Sequence, residues 1–477
     1  MRKPVSVKRK SKPSVRRYSQ KSPQIGKVRK RKIEKKNARW LWIWLGLTGV
    51  GIVSATAGAI LAVSLSATPL RQVLLSPEDA AVFNQKEAIS SQSLRFPKLT
   101  RPVNILVLGT KVLTSDLENP PQDNLGYHAL VDSFEGLTDT MLLVRFDPDN
   151  YKLSVLSIPR DTRTTIDGFG QMKINAANHY GGAALSAKTI SNLLEGVSID
   201  RYVRVNIQAV EKLIDALGGV TVYVPKDMKY TDLSQHLYIN LQQGEQLLDG
   251  DKAIQFLRFR YDRYGDIGRI QRQQALMRAV VEQTLRPATL LRLPDVIQVL
   301  KSNIDTNLSV EEIAALAGFV SHTNRQDVQM LMLPGDFNGT GEKEVSYWIP
   351  NSRRIRTMVA QHFDQGYNES DPTRKGAVKI AIQDSTGNPE AIATLKQILQ
   401  EQGYGNFFIG TSVSHSLNET HIIAQSGDRN SATELQYALG LGEVLVESTG
   451  ELNSDITIQL GRDWSRLKEG GDRWTDN

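Results

Sequence analysis

The sequence contains no cysteine. That excludes disulfides, thiolate-bound metal and a cysteine nucleophile. Histidine is scarce, with seven in 477 residues. None of the seven sits in an HExxH motif, and the chain has neither a GxSxG elbow nor a Walker phosphate loop. Zinc-protease, serine-hydrolase and P-loop chemistry therefore have no support. Acid is nearly missing from residues 1–39, which carry 17 lysines and arginines against Glu34 alone. Charge of either sign is missing from Trp40 to Leu70, and no second run of this kind follows.

These gaps organise the chain. About 20 apolar residues suffice to span a bilayer as a helix, and a basic flank stays on the cytoplasmic side. Residues 40–67 are thus expected to be a single-pass transmembrane helix, opened by Trp40, Trp42 and Trp44 at the interface. The rival is a cleaved signal peptide ending near Leu65–Ala67, but its apolar core would usually be shorter. Residues 1–39 read as a disordered cytoplasmic tail that sets topology and attracts anionic lipid. The formal charge of +7 belongs to this tail, because the rest holds 41 bases against 50 acids. The tail shows no helix-turn-helix pattern, and no nucleic-acid partner is expected.

Residues 68–100 read as a juxtamembrane spacer. Val103–Leu108, Thr140–Phe146 and Lys152–Ile158 read as strands, the last two joined as a hairpin through Asp147–Asn150. Ala183–Glu195 and Ala209–Leu217 read as helices, and Gly218–Pro225 as a strand. Ala253–Tyr261 reads as a further strand with Arg258 and Arg260 on one face, followed by a helix from about Ile270. The mixture implies an α/β or α+β layered fold with a central sheet. After the polar linker 366–376 a small α/β unit of βαβαβ type follows at 377–465.

Chemistry concentrates in arginine. Arg258–Gln274, "RFRYDRYGDIGRIQRQQ", holds five arginines and no lysine, and "IPRDTR" adds Arg160 and Arg163. Guanidinium stays charged when half-buried and grips phosphate bidentately. The alternative is a set of Arg–Asp pairs fastening strand ends, with Asp161, Asp262 and Asp266 as partners. Asp139 is a candidate single carboxylate for Mg²⁺, or else a turn aspartate.

Seven ordered segments, "NILVLGT", "LTDTMLLVRFDP", "KLSVLSIPRDTR", "KINAANHYGG", "ALGGVTVYVP", "INLQQGEQLLDGDKAIQFLRFR" and "GDIGRIQRQQ", resemble the LytR-CpsA-Psr (LCP) domain. The resemblance covers residues 101–365, most closely 101–290, and 377–465 resembles the LytR C-terminal domain. It implies an αβα layered domain with a central mixed sheet. It implies a phosphotransferase that moves a phosphoglycosyl polymer from a polyprenyl-pyrophosphate carrier, its prenyl chain in an apolar tunnel, to peptidoglycan. Mg²⁺ would assist, at the outer face of the plasma membrane. Carried onto this chain, the catalytic set is Arg160, Asp161, Arg163, Asp266 and Arg269. Pyrophosphate would meet Arg258, Arg260, Arg272, Gln273, Lys173 and Asn175, and Asp139 would hold the metal. Lys111 stands where the family commonly has a metal-binding aspartate. It could supply charge to the pyrophosphate instead, or Asp116, Asp123 or Asp132 could replace the aspartate. That departure keeps open a second reading, a weakly catalytic polyprenyl-phosphate or cell-wall binding protein.

Overall fold

A computed structural model describes residues 75–83, 89–90, 97–110, 134, 136–232, 237–259, 266–292, 295–296, 298–299, 304–338, 346–364, 375–413, 415–425, 427–451 and 453–466. The expected anchor at 40–67, the tail and the linker core 366–374 lie outside these. Among the described residues no helix is long and apolar enough to cross a membrane.

The strands in chain order begin with β1 (Val103–Thr110), β2 (Thr138–Asp147), β3 (Lys152–Ser157), β4 (Arg163–Ile166), β5 (Gly170–Lys173) and β6 (Arg201–Val205). Next come β7 (Val220–Val224), β8 (Met228–Asp232), β9 (Leu237–Leu241), β10 (Gly244–Leu248), β11 (Ile304–Thr306) and β12 (Val328–Met332). The series ends with β13 (Gly335–Phe337), β14 (Trp348–Pro350), β15 (Ile380–Asp384), β16 (Phe407–Ile409), β17 (His421–Ala424), β18 (Glu443–Leu445) and β19 (Ile456–Leu460).

Six strands form the central sheet, in the order β11-β6-β1-β2-β3-β12. It is mixed, since β1 runs parallel to β6 and antiparallel to β2, while β3 runs parallel to β12. The expected hairpin is present, with Val144 opposite Val155 and Phe146 opposite Leu153.

Strand alternation explains the layers. Leu106, Leu108, Leu143 and Leu156 point to one face, where Ala184, Ala187 and Ile190 of the Ala176–Leu193 helix and Ile355 and Met358 of the Ser352–His362 helix cover them. Ile105, Leu142 and Val155 point to the other, under Ile313 and Phe319 of the Val310–His322 helix. Both faces are buried, so the strands read as nearly continuous apolar runs. A side cluster gathers Val220, Val222, Ile239, Phe256 and Leu276 around β7–β10.

The strand expected at Ala253–Tyr261 is not what the structure shows over 253–258, and Arg260 and Tyr261 lie outside the described residues. Residues Gly250–Arg258 form a helix, capped by the Asp249 side chain, which accepts from the Lys252 amide, and carrying Asp251 in its first turn. Ala253 and Phe256, three apart, are its buried face. The alternation of Arg258 and Arg260 with Leu257 and Phe259 mimicked a strand, but the cap decides. The next helix starts earlier than expected, at Asp266, and runs to Thr284.

The C-terminal unit is a five-stranded sheet, β16-β15-β19-β17-β18, with the Pro389–Glu401 and Arg429–Leu439 helices. β16 and β18 are additions to the strands expected from the sequence. Its core is continuous with that of the first unit, so Ile382, Leu395 and Leu435 belong to the same apolar cluster as Leu333 and Met358. The Met330 amide donates to the Val446 carbonyl at 2.8 Å across this seam.

His362 also bridges it. Its Nε2 lies 3.2 Å from the Gly427 carbonyl oxygen, and its Nδ1 lies 2.9 Å from Gln329 Oε1. Burial pushes its pKa below the ordinary value and Lys152 adds to this, while the Gly427 carbonyl and Asp428 oppose. A histidine with a depressed folded pKa stabilises above its unfolded pKa, and that contribution drains away as pH falls through the folded one. Stability should therefore drop as pH falls from about 6.5, and His362→Gln should flatten the dependence. Urea midpoints at pH 7.5 and 5.5 check this. Equal pH slopes in both proteins would remove His362 from the account.

Candidate active site

β1, β3, β6 and β12 all end, and β2 begins, at one edge of the central sheet. Chain leaving β3 turns sharply there. The Thr162 hydroxyl and amide both donate to the Pro159 carbonyl, at 2.6 and 3.0 Å. Three neighbours then lock the turn. Ile174 donates its amide to the Thr162 carbonyl, Asn175 to that of Arg160, and Trp348 to that of Asp161. Thr138 donates to the Asn175 carbonyl, which ties the start of β2 to the same point. Asn175 is thus buried and acts through its backbone.

This scaffold fixes a charge cluster. Arg160 Nη1 lies 2.5 Å from Asp139 Oδ1, and its Nε lies 3.3 Å from Asp161 Oδ2. Lys173 Nζ, brought opposite Arg163 by the β4–β5 register, lies 2.7 Å from Asp161 Oδ1. Arg269 Nη2, from the Asp266–Thr284 helix, approaches Asp161 Oδ2 at 3.6 Å. Asp161 is 5% exposed. Three cations therefore surround two carboxylates, leaving an excess of one positive charge at a half-open edge. Such an arrangement attracts phosphate, and its donors are already oriented.

The remaining expected residues divide. Gln273 reaches the Asp139 carbonyl at 3.5 Å from Nε2, one turn along from Arg269. Arg272 is buried, donates from Nη2 to the Phe259 carbonyl and lies over the Phe259 ring. It fastens the end of the Gly250–Arg258 helix. Arg258 closes that helix, half-buried, and Arg163 is exposed on β4. Asp266 opens its helix. Lys111 and Arg260 lie outside the described residues, as do Asp116, Asp123 and Asp132.

Sequence reasoning missed what stands behind Asp139. Asn178 donates from Nδ2 to the carbonyls of Phe134 and Gly136, at 3.0 and 2.9 Å. Its Oδ1 meets Arg204 Nη1 at 3.5 Å, and Arg204 is paired with the fully buried Asp305. The available signal was charge inside strand-like runs, in "RYVRV" and "IDT". Also missed was Tyr347, whose ring lies under Lys173 Nζ at 5.6 Å.

Among the described residues no group of three acidic or histidine side chains could hold a metal. Asp139 is a one-third exposed hard oxygen donor, which suits Mg²⁺ only when phosphate and water complete its shell. A cavity of about 820 Å³ lies elsewhere, between the Pro77–Val82 helix and Lys188, Ser191 and Asn192, and no residue of the charge cluster lines it.

With this geometry in view, the chain can be set beside known proteins. A profile of the LytR_cpsA_psr family matches residues 75–364. A second, described as "LytR cell envelope-related transcriptional attenuator", matches 377–464. The chain is 29% identical over 238 residues to "Polyisoprenyl-teichoic acid--peptidoglycan teichoic acid transferase TagV" of Bacillus subtilis (strain 168). That match takes in 48% of this chain and spans 61% of the relative. It is 30% identical over 273 residues to the transferase TagU of Bacillus cereus, across 56% of this chain and 80% of that one. The crystal structure of B. subtilis TagV aligns with a TM-score of 0.46 at 26% identity, covering 56% of this chain and 99% of that one.

Proposed function

The chain belongs to the LytR_cpsA_psr family, and we propose that it is a membrane-anchored phosphotransferase of cell-wall assembly. It moves a phosphoglycosyl polymer from a polyprenyl-pyrophosphate carrier to a hydroxyl of peptidoglycan. The observation that carries this reading is the convergence of Arg160, Lys173 and Arg269 on Asp161 beside Asp139. The similarity to TagV and TagU supports it, since both are named polyisoprenyl-teichoic acid–peptidoglycan teichoic acid transferases.

In the proposed step an acceptor hydroxyl oxygen attacks the phosphorus that carries the sugar. A new phosphodiester forms, the P–O bond to the second phosphate breaks, and polyprenyl phosphate leaves. Arg160, Lys173 and Arg269 would hold the phosphates and meet the charge that spreads over their oxygens, as preorganised donors do in phosphoryl transfer. Asp161 keeps those three cations aimed at one point. Asp266 is the candidate the sequence supplies for receiving the hydroxyl proton. Arg163, Arg258, Arg260, Gln273 and Lys111 would extend the phosphate wall. Asp139 would hold a magnesium ion, whose charge would help neutralise the leaving phosphate. The anchor at 40–67, with its N-terminus in the cytoplasm, would place the site outside the plasma membrane, where such lipids present their head groups.

The test uses the full-length protein in detergent micelles, a synthetic polyprenyl-pyrophosphate-linked saccharide and peptidoglycan fragments. Mass spectrometry should find a phosphodiester-linked product that disappears with EDTA. No product, with the lipid bound, would overturn the transferase reading in favour of a binding protein. Product that persists in EDTA would remove the metal and leave charge neutralisation to the arginines and lysines.

A further inference from the structure

The β4–β5 hairpin does more than deliver Arg163 and Lys173. At its far end Ile166 pairs with Gly170, and Asp167–Phe169 turn over on a Phe169 amide to Ile166 carbonyl bond of 2.9 Å. Gly168 and Gly170 both take φ of +81°, a conformation that strains any side chain. The turn lifts Phe169 outward. There it stacks on Tyr180 of the Ala176–Leu193 helix, with centroids 4.2 Å apart and rings within 16° of parallel. His179 leans on the Tyr180 ring at 5.2 Å. Lys188 holds Asp167 at 2.7 Å and moors the tip to the same helix.

This moored pair is not buried. Phe169 is 44% and Tyr180 47% exposed, so both rings reach solvent although each is large and largely apolar. An apolar patch rimmed by polar groups marks a contact site. We propose that Phe169 and Tyr180 form a saccharide-stacking platform that seats the glycan acceptor. The proposal rests on the transferase reading and deepens it.

Chemistry favours a sugar over other occupants. A pyranose ring presents a flat face of C–H groups and an edge of hydroxyls. The C–H face suits the electron-rich face of an aromatic ring, while the hydroxyls stay in water. Because the two rings face one another, each offers one outer face, an area that suits a ring of its own size rather than a prenyl chain, which needs an enclosed trough. Tyr180 keeps a hydroxyl handle at its rim, and Asp167, Lys188 and His179 surround the pair with hydrogen-bonding groups.

Position favours the acceptor over the donor. Phosphates belong at Lys173, the site end of the hairpin. Three residue steps along β5 separate Lys173 from Gly170, roughly 10 Å at the rise of a strand. That is the reach of a disaccharide. A sugar on the platform can therefore be one or two units away from the hydroxyl that reacts. The rigid hairpin sets that spacing and so selects which hydroxyl arrives at the phosphorus.

The test separates the platform from the chemistry. Phe169→Leu and Tyr180→Leu keep apolar bulk at the tip but remove the flat faces. Phe169→Tyr and Tyr180→Phe keep the faces. Full-length protein in micelles would be assayed with the lipid-linked saccharide against glycan fragments of increasing length. The leucine variants should raise KM for the glycan about tenfold, leave KM for the lipid donor unchanged, and hold kcat at saturating glycan. The aromatic exchanges should behave as the parent protein does. A leucine variant that lowers kcat with both KM values unchanged would mean the pair only fastens the hairpin, and would overturn the proposal. So would unchanged kinetics.

Saturation-transfer NMR with the same glycan fragments reads the platform without turnover. Glycan contact seen in the parent and lost in the leucine variants would support the platform even if no transfer were found, which would sink only the transferase reading. Equal contact in all variants, or none in the parent, would sink the platform even if transfer were vigorous.

Discussion

Arg160→Ala should lower kcat/KM for transfer by roughly 10³-fold, about 4 kcal/mol of lost transition-state stabilisation. The protein should remain folded. Arg160 touches both Asp139 and Asp161, at 2.5 and 3.3 Å. Phosphate arriving at this edge would meet its fork directly, and a fork is worth most where charge is spread over several oxygens. Losing it costs the fold little, because Asp161 keeps Lys173 and Arg269, and Asp139 is a third exposed to water. Arg160→Lys should recover only a small part of the rate. An ammonium is a point donor and cannot bridge two acceptors in one plane. Single-turnover kinetics with the lipid-linked donor, alongside urea unfolding, would separate rate from stability. A parent-like rate in Arg160→Ala would mean that the cluster is a strand-end fastening, the alternative that composition alone left open.

Why that alternative stayed open lies in what sequence periodicity can carry. The three strands β1, β2 and β3 were legible because their side chains alternate against two apolar layers over consecutive residues. Arg160 and Asp161 were legible as a motif. Lys173 and Arg269 were named through the family resemblance, but their pairing with Asp161 was not legible, because Lys173 depends on the register of a hairpin of four-residue strands and Arg269 on where a helix begins. The helix at Gly250–Arg258 was misread because its arginines alternate like strand residues, whereas its evidence sat at the capping Asp249 and the first-turn Asp251. The seam between the two units was also invisible. It is made of single residues scattered over both: Met330 with Val446, His362 with Gly427, and Arg278 with Glu447 at 2.9 Å. None of these recurs at a period. Arg278 is on the helix that carries Arg269, and Gln271 of that helix donates to the Gly450 carbonyl at 3.3 Å. The C-terminal unit therefore packs directly against the helix that supplies part of the site, which a polar linker in the sequence gave no reason to expect.

Asp305→Ala should destabilise the fold by about 3–5 kcal/mol, the cost of leaving a buried charge without its partner. Asp305 is fully buried and accepts from Arg204 Nε at 2.6 Å, while Arg204 itself is 5% exposed. The Tyr202 hydroxyl approaches the other carboxylate oxygen at 3.4 Å, and burial together with Asp305 pushes that phenol well above its ordinary pKa, so it stays a neutral donor. Removing the carboxylate strands the guanidinium between β6 and β11, where water cannot reach it. A loss of this size is a large share of the usual 5–15 kcal/mol of a folded domain, so urea midpoints should move well to the left. Arg204→Met with Asp305→Leu should be more stable than Asp305→Ala alone, because it removes both charges and restores apolar packing. The double variant should nonetheless transfer more slowly than the parent. Arg204 is what meets Asn178, and Asn178 pins the Phe134 and Gly136 carbonyls just ahead of Asp139. A double variant with full stability and full rate would show that this buried chain holds the sheet together without holding Asp139 in place.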